Sequence, residues 1–233
     1  MARLPPTLGI ALAPLVRYFS REDYAQSLVE EGAVLFRSLS YFRDYEDAGV
    51  RSDPYEGTLT HRPDDGLKVQ LVKERQTLEL PNTFEARTKE DDILVYCLST
   101  ELSSYIGRRF EAKVAVLIKD RGTFLARIRR ALALIPRAEP TQLVHGTVRY
   151  VNRHDPPGVD WALPERIALR KPNSFQWQKE YRIAAPIGDA FAVENVQLSL
   201  TPPEGNRPAK REDHPQHILR LGSLRSICKI QRL

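Results

Sequence analysis

The sequence predicts an α+β fold of mainly antiparallel strands with peripheral helices. Three observations carry this expectation: many short apolar runs of strand length, few stretches with helical period, and no regular strand–helix alternation of the kind a doubly wound parallel sheet requires. With 233 residues, 42% of them hydrophobic and 28% charged, the chain is long enough to bury one sizeable core. No shift in composition divides it, so residues 1–233 read as a single domain.

The elements follow in order. The apolar run 15–19 is a candidate buried strand, and Ser20 with Asp23 three residues on forms a capping-box-like helix start. That helix extends to about Glu31 and stops at Gly32, with Tyr24, Ala25 and Leu28 expected toward the core. Residues 33–36 resume as a strand. The acidic and aromatic stretch 41–47 then connects to Ser52-Asp53-Pro54-Tyr55-Glu56-Gly57, whose proline and glycine favour turns. A long polar loop with interleaved aromatics is a common place for function. Asp53 and Glu56 in this loop read as loop stabilisers, through turn hydrogen bonds and pairing with Arg43 and Arg51.

Residues 67–71 and 77–80 alternate as a hairpin does, and 92–99 is a stronger strand candidate. Residues 114–118 are continuously apolar. Asp120 is placed to cap a helix from about 122 to 134, with Phe124, Ile128, Leu132 and Ile135 on one face. Arg127, Arg129 and Arg130 read as a solvated face, with a phosphate-binding patch as the sharper alternative. Residues 147–151 suggest a strand, 152–158 a loop and 161–169 a short helix. Phe175 to Ile183 reads as a strand with Gln178, Glu180 and Arg182 on one face. A strand over 191–200, a proline-rich loop over 201–216 and strands over 218–221 and 224–230 complete the chain.

Composition narrows the function classes. The net charge of +5, from 35 cations against 30 anions, favours a polyanionic partner without specifying one. Pro5, Pro6 and Pro14 interrupt the mildly apolar N-terminus, so neither a signal peptide nor a membrane span is expected and the location reads as cytoplasmic. Cys97 and Cys228 lie inside apolar runs, as buried thiols of a reducing compartment do. They and the five histidines show no metal-ligand spacing, so no metal is expected.

The residues that suggest chemistry lie far apart. Arg17 is on the first strand, Ser38 and Ser40 end the strand after the first helix, and Gln178-Lys179-Glu180 comes late, with Glu180 between a carboxamide and a guanidinium. That order resembles the arginine, serine and glutamate triad of the ADP-ribosyltransferase superfamily. The resemblance implies two packed, bent sheets around a central cleft, with NAD as substrate. It implies that Arg17 holds a phosphate or ribose, that Ser38 and Ser40 support the nicotinamide ribose, and that Glu180 contacts the ribose hydroxyl. Gln178, two before the glutamate, is similar to enzymes that modify asparagine, cysteine or guanine. Tyr41 or Phe42 is placed to stack on the nicotinamide.

The chain also resembles a largely uncharacterised bacterial family. The shared pieces are Arg17-Tyr18-Phe19, the block from Tyr41-Phe42-Arg43 to Gly57, Tyr96-Cys97-Leu98-Ser99, Gln178 to Arg182, and Leu221-Gly222-Ser223-Leu224. The leading expectation is a transferase moving ADP-ribose to a macromolecular acceptor, nucleic acid ahead of protein, as a toxin, effector or defence component with an inhibitor or antitoxin as a further partner. Three alternatives stay open: a non-catalytic nucleotide-binding module, a nucleic-acid-binding or nuclease-type protein using Arg127, Arg129, Arg130, Lys229 and Arg232, and an inhibitor of a partner protein.

Overall fold

A computed structural model describes residues 13–45, 50, 52–203 and 209–233. The reading of the N-terminus rested mainly on residues outside this set, as do Arg51 and part of the 41–47 connector.

Fifteen strands and five α-helices are present among the described residues. The strands are β1 (Leu15–Phe19), β2 (Ala33–Ser38), β3 (Thr58–His61), β4 (Leu67–Leu71), β5 (Gln76–Leu80), β6 (Thr83–Arg87), β7 (Ile93–Ser99) and β8 (Val114–Ile118), followed by β9 (Val144–Thr147), β10 (Arg149–Val151), β11 (Arg170–Pro172), β12 (Glu180–Pro186), β13 (Gln197–Thr201), β14 (Gln216–Arg220) and β15 (Cys228–Arg232). The helices are α1 (Glu22–Glu31), α2 (Leu39–Asp44), α3 (Ser104–Arg109), α4 (Arg121–Leu132) and α5 (Pro164–Ile167). The α+β class and the mainly antiparallel pairing are as expected; among the described residues only β10 and β11 run parallel. Most strands, however, join one branched eight-stranded sheet, with a three-stranded sheet β13-β6-β3 and two two-stranded ribbons beside it.

Branching occurs at β7. One edge of β7 pairs with β12 over its whole length, from Glu180↔Ser99 to Pro186↔Ile93. Its other edge is shared: β2 occupies the beginning, through Arg37↔Val95 and Ser38↔Leu94, and β1 reaches the end, through Val16↔Ser99. Between them Tyr96, Cys97 and Leu98 face a fork with no strand alongside. A backbone carbonyl left in such a gap needs another partner.

Helices α1 and α4 cover one face of this sheet. Gly32 ends α1 in the left-handed conformation, at φ 65°, and a Cβ there would lie 2.4 Å from the Gly222 carbonyl oxygen, which restricts the position to glycine. Asp120 caps α4 as expected, accepting from the Thr123 backbone at 2.9 Å. Phe124, Ile128 and Leu132 pack with Ala25, Leu28, Phe36, Tyr96 and Ile183, each large apolar side chain contributing roughly 1.5–3 kcal/mol by leaving water. On the opposite face, α2 and α5 set Leu39 and Ala168 against Ile93, Val95 and Ala184. Both faces of β7 and β12 are thereby covered, which accounts for the apolar run of β7 and for the burial of β12 along its whole length.

Several local expectations are corrected. Arg21, not Ser20, occupies the α1 cap position and bonds Asp23 instead; Tyr24 is 52% exposed, its ring under the Arg21 guanidinium. The stretch after Ser38 is helical as far as Asp44, not an extended connector. The segment ahead of Glu180 is a 3-10 turn, Asn173–Gln178, not a strand. Strand β13 starts only at Gln197, after a further turn at Val193–Asn195, and β15 starts at Cys228.

No helix among the described residues is long and apolar enough to cross a membrane.

Candidate functional site

The fork at β7 opens into a pocket of about 130 Å³. Arg17, Phe42, Gln178 and Glu180 all line it, together with Cys97 and Lys171. Four residues that the sequence places in three distant regions are therefore brought together. The cavity is close to the roughly 150 Å³ that binds a benzene ring in other proteins, so it admits one ring-sized group.

Arg17 reaches into the fork and its Nη1 donates to the Cys97 carbonyl at 2.5 Å, satisfying the group that the missing strand leaves open. Its guanidinium also lies over the Tyr96 ring, 5.0 Å from the centroid. The Nε atom is buried with no hydrogen-bond partner among the described residues, and no carboxylate there pairs with this arginine. A pocket-lining cation with no carboxylate partner among the described residues is suited to an anionic group.

Gln178 and Glu180 both point inward, although not by strand alternation. Lys179 between them adopts a left-handed conformation, at φ 47°, and this turn brings the flanking side chains to the same side. It is an unfavourable conformation for a residue with a Cβ.

Glu180 is 3% exposed and belongs to a buried ionic network. Its Oε1 accepts from Arg182 Nε at 2.6 Å and its Oε2 from Lys171 Nζ at 3.3 Å. Arg182, fully buried, in turn grips Glu56 with both Nη atoms, at 2.5 and 2.8 Å, and donates to the Ala168 carbonyl at 2.8 Å. Burial alone would raise the Glu180 carboxyl, but the Arg182 and Lys171 cations outweigh it and hold it at about 2. Glu180 is thus an ionised carboxylate at neutral pH, fit to stabilise positive charge and unfit to donate a proton.

Gln178 is tied on both sides of its carboxamide. Lys171 Nζ donates to its Oε1 at 3.0 Å, and its Nε2 donates to the Val50 carbonyl at 2.5 Å. Asp53, 1% exposed, accepts from the Tyr55 backbone at 3.0 Å through Oδ1, while its Oδ2 is buried and unpartnered among the described residues. Burial, reinforced by the Glu56 charge, pushes the Asp53 carboxyl up to about 7.

Ser38, Ser40 and Tyr41 are not among the residues that line the pocket. Ser38 ends β2 and Ser40 lies in α2, and the change from strand to helix between them turns the pair into a separate cluster. Their hydroxyls meet at 2.8 Å, and Ser40 donates to Asp91 at 2.5 Å and lies 3.1 Å from His214 Nδ1. Arg211 also bonds Asp91, so this cluster fastens the 211–214 segment to α2. Tyr41 lies under the Arg37 guanidinium, at 3.9 Å, and meets Phe42 edge-on. Only Phe42, of the two aromatics expected to stack on a ligand, faces the pocket.

Lys171, Cys97 and Glu56 were missed as site residues. Lys171 sits in an ordinary Arg-Lys-Pro strand, and nothing in its neighbourhood marks it. Glu56 was expected to pair with Arg43 or Arg51; Arg43 instead pairs with Asp44, at 2.7 Å, and with Glu90. Cys97 is half-buried, packing against the Leu39 cluster and also lining the pocket, its thiol pushed up by burial and by the Glu180 charge and so kept protonated.

A second cavity, of about 290 Å³, adjoins Lys171 and has a mixed lining in which Thr58, Thr60, Asn152, Arg153 and Asn173 stand beside Leu59 and Val151. Comparison of the chain with protein-family models, curated proteins and solved structures finds no match.

Proposed function

We propose that the protein is an NAD-dependent ADP-ribosyltransferase that moves ADP-ribose to a macromolecular acceptor. The observation that carries this reading is the meeting of Arg17 and Glu180 in one ring-sized pocket. The cation there has no carboxylate partner among the described residues, and the carboxylate is held ionised.

Breaking the bond between the nicotinamide nitrogen and ribose C1′ leaves the electron pair on nicotinamide and positive charge on the ribose. A nucleophilic atom of the acceptor then bonds C1′ and releases its proton to solvent. A fixed carboxylate stabilises the ribose charge mainly in the transition state, which is where it accelerates the step. In this reading Glu180 is that carboxylate, Arg17 binds a phosphate, Phe42 stacks on the nicotinamide, and the divergence of β1 and β2 makes the cleft of a bent-sheet transferase. Gln178, tied to Lys171 and Val50, shapes the site more than it selects the acceptor. A toxin, effector or defence role in the cytoplasm, held in check by an inhibitor, is consistent with such chemistry.

A second reading is favoured by one observation: both Glu180 oxygens are already engaged by cations. A module that binds a nucleotide without consuming it would keep them so. Incubation with NAD and measurement of released nicotinamide separates the two. The transferase reading expects release by the wild type and a loss of about 100-fold or more in Glu180→Gln, in line with the removal of an electrostatic stabiliser. Calorimetric binding of NAD with no nicotinamide release establishes the module instead.

A further inference from the structure

A ladder of rings and cations runs from the pocket wall to the surface. Tyr18 and Phe110, which line the pocket, lie 5.9 Å apart, and Phe110 is 5.1 Å from Trp177. The Arg109 guanidinium sits over the Trp177 ring at 3.9 Å, and its Nη1 donates to the Tyr105 hydroxyl at 3.2 Å. Tyr105, at the outer end, is 50% exposed. Tyr105 and Arg109 are one helical turn apart on α3, which sets them on a common face.

Charge is distributed unevenly here. Arg108, Arg109, Lys113 and Lys179 are all exposed and none has an ion pair among the described residues, against the two exposed acids Glu101 and Glu111. Other exposed arginines are matched, as in Arg220–Glu31, Arg225–Glu30 and Arg232–Glu22, whereas Arg129 and Arg130 on α4 share the lack of an ion pair among the described residues but have no exposed aromatic ring beside them. Exposed aromatic surface combined with unmatched cations fits a partner that offers flat bases and phosphates together.

We propose that α3 and the Trp177 turn form a docking surface for single-stranded nucleic acid at the mouth of the pocket. The inference rests on the transferase reading, for which it names the acceptor class. Tyr105 and the Arg109–Trp177 stack receive bases, while Arg108, Lys113 and Lys179 attract the backbone. A duplex, whose bases are already stacked on each other, binds this surface more weakly.

Fluorescence anisotropy with labelled oligo-dT and oligo-U, without NAD and across a salt series, tests it. The expected result is salt-sensitive binding that exceeds that of a duplex and falls about tenfold or more in Tyr105→Ala/Arg109→Ala, the range of one lost base stack. Arg109→Lys, which keeps charge but loses the planar stack, should show an intermediate loss, and Arg220→Lys, at a matched surface arginine away from α3, none. Failure of both single strands to bind at low salt, or equal binding by the folded double variant, overturns the proposal. So does NAD-dependent labelling of protein by an enzyme that ignores both strands, an outcome that leaves the transferase reading intact. Strand binding without nicotinamide release has the opposite meaning: it supports the surface and removes the transferase.

Discussion

The Arg17 guanidinium donates to the Cys97 carbonyl at 2.5 Å, across the stretch where β7 has no neighbouring strand on that edge. The same side chain lines the pocket. Arg17→Lys should therefore fail to replace it, because an ammonium lacks the planar fork that spans a carbonyl and an anion together. The expected outcome is a loss of nucleotide affinity of about tenfold or more by calorimetry, with Arg17→Ala losing at least as much.

Ser40 separates the geometric assignment from the one the family resemblance implies. Ser40→Ala removes its bonds to Asp91 and His214, at an expected cost of about 1–3 kcal/mol in urea unfolding. Nucleotide binding at the Arg17 pocket should be unchanged at a temperature where the variant is folded. A variant of wild-type stability that no longer binds would restore the ribose-supporting role to the serine.

Glu56 and Arg182 form a fully buried bidentate pair. Glu56→Ala leaves the guanidinium half-matched in a dry interior, which costs about 3–5 kcal/mol when one partner of such a pair is removed. Chemical denaturation should report this as a lower midpoint with little change in slope.

Asp53 gives the fold a pH dependence of definite sign. Its carboxyl titrates at about 7 in the folded chain against an ordinary 3.8. Folding thus takes up a proton between these values, and the Asp53 contribution weakens as pH rises from about 4 to 7 and levels off above that. Glu180 acts in the opposite sense: held at about 2 against 4.5, it adds stability above about 4.5 that is lost on acidification toward 2. Asp53→Asn should raise the melting temperature at pH 8 relative to wild type by more than it does at pH 5, since every tenfold weakening of the acid on folding costs ~1.4 kcal/mol once the carboxyl is ionised. Equal effects at the two pH values would contradict this assignment.

Most strands of the large sheet, α1 and α4 were legible because their signals are local, whereas β3, β6 and β11 were not read as strands. Gly32 stops a helix through its own backbone freedom, Asp120 caps through its own side chain, and the β7 run is apolar because both its faces are covered. Arg17 and Glu180 were legible through residue type and order along the chain. Ser38 and Ser40 were misplaced because a helix begins at Leu39, a change that two serines, common in strand ends and turns alike, do not announce. Lys171 and the Glu56–Arg182 pair were hidden because long-range ion pairing depends on which loops meet after folding. Gln178 and Glu180 do share a side, but the left-handed Lys179 achieves it where strand period was expected to.

The fork in the sheet also has a mechanical meaning. For three residues β1 and β2 are joined to the rest through no ladder bond on that edge of β7, and one arginine bridges the seam. An anion held by this arginine shares the side chain with the bridge, so occupancy of the cavity and stiffness of the central sheet are governed by a single side chain. Ligand binding here is expected to be felt as a change in amide-exchange rates along Tyr96, Cys97 and Leu98, well inside the molecule.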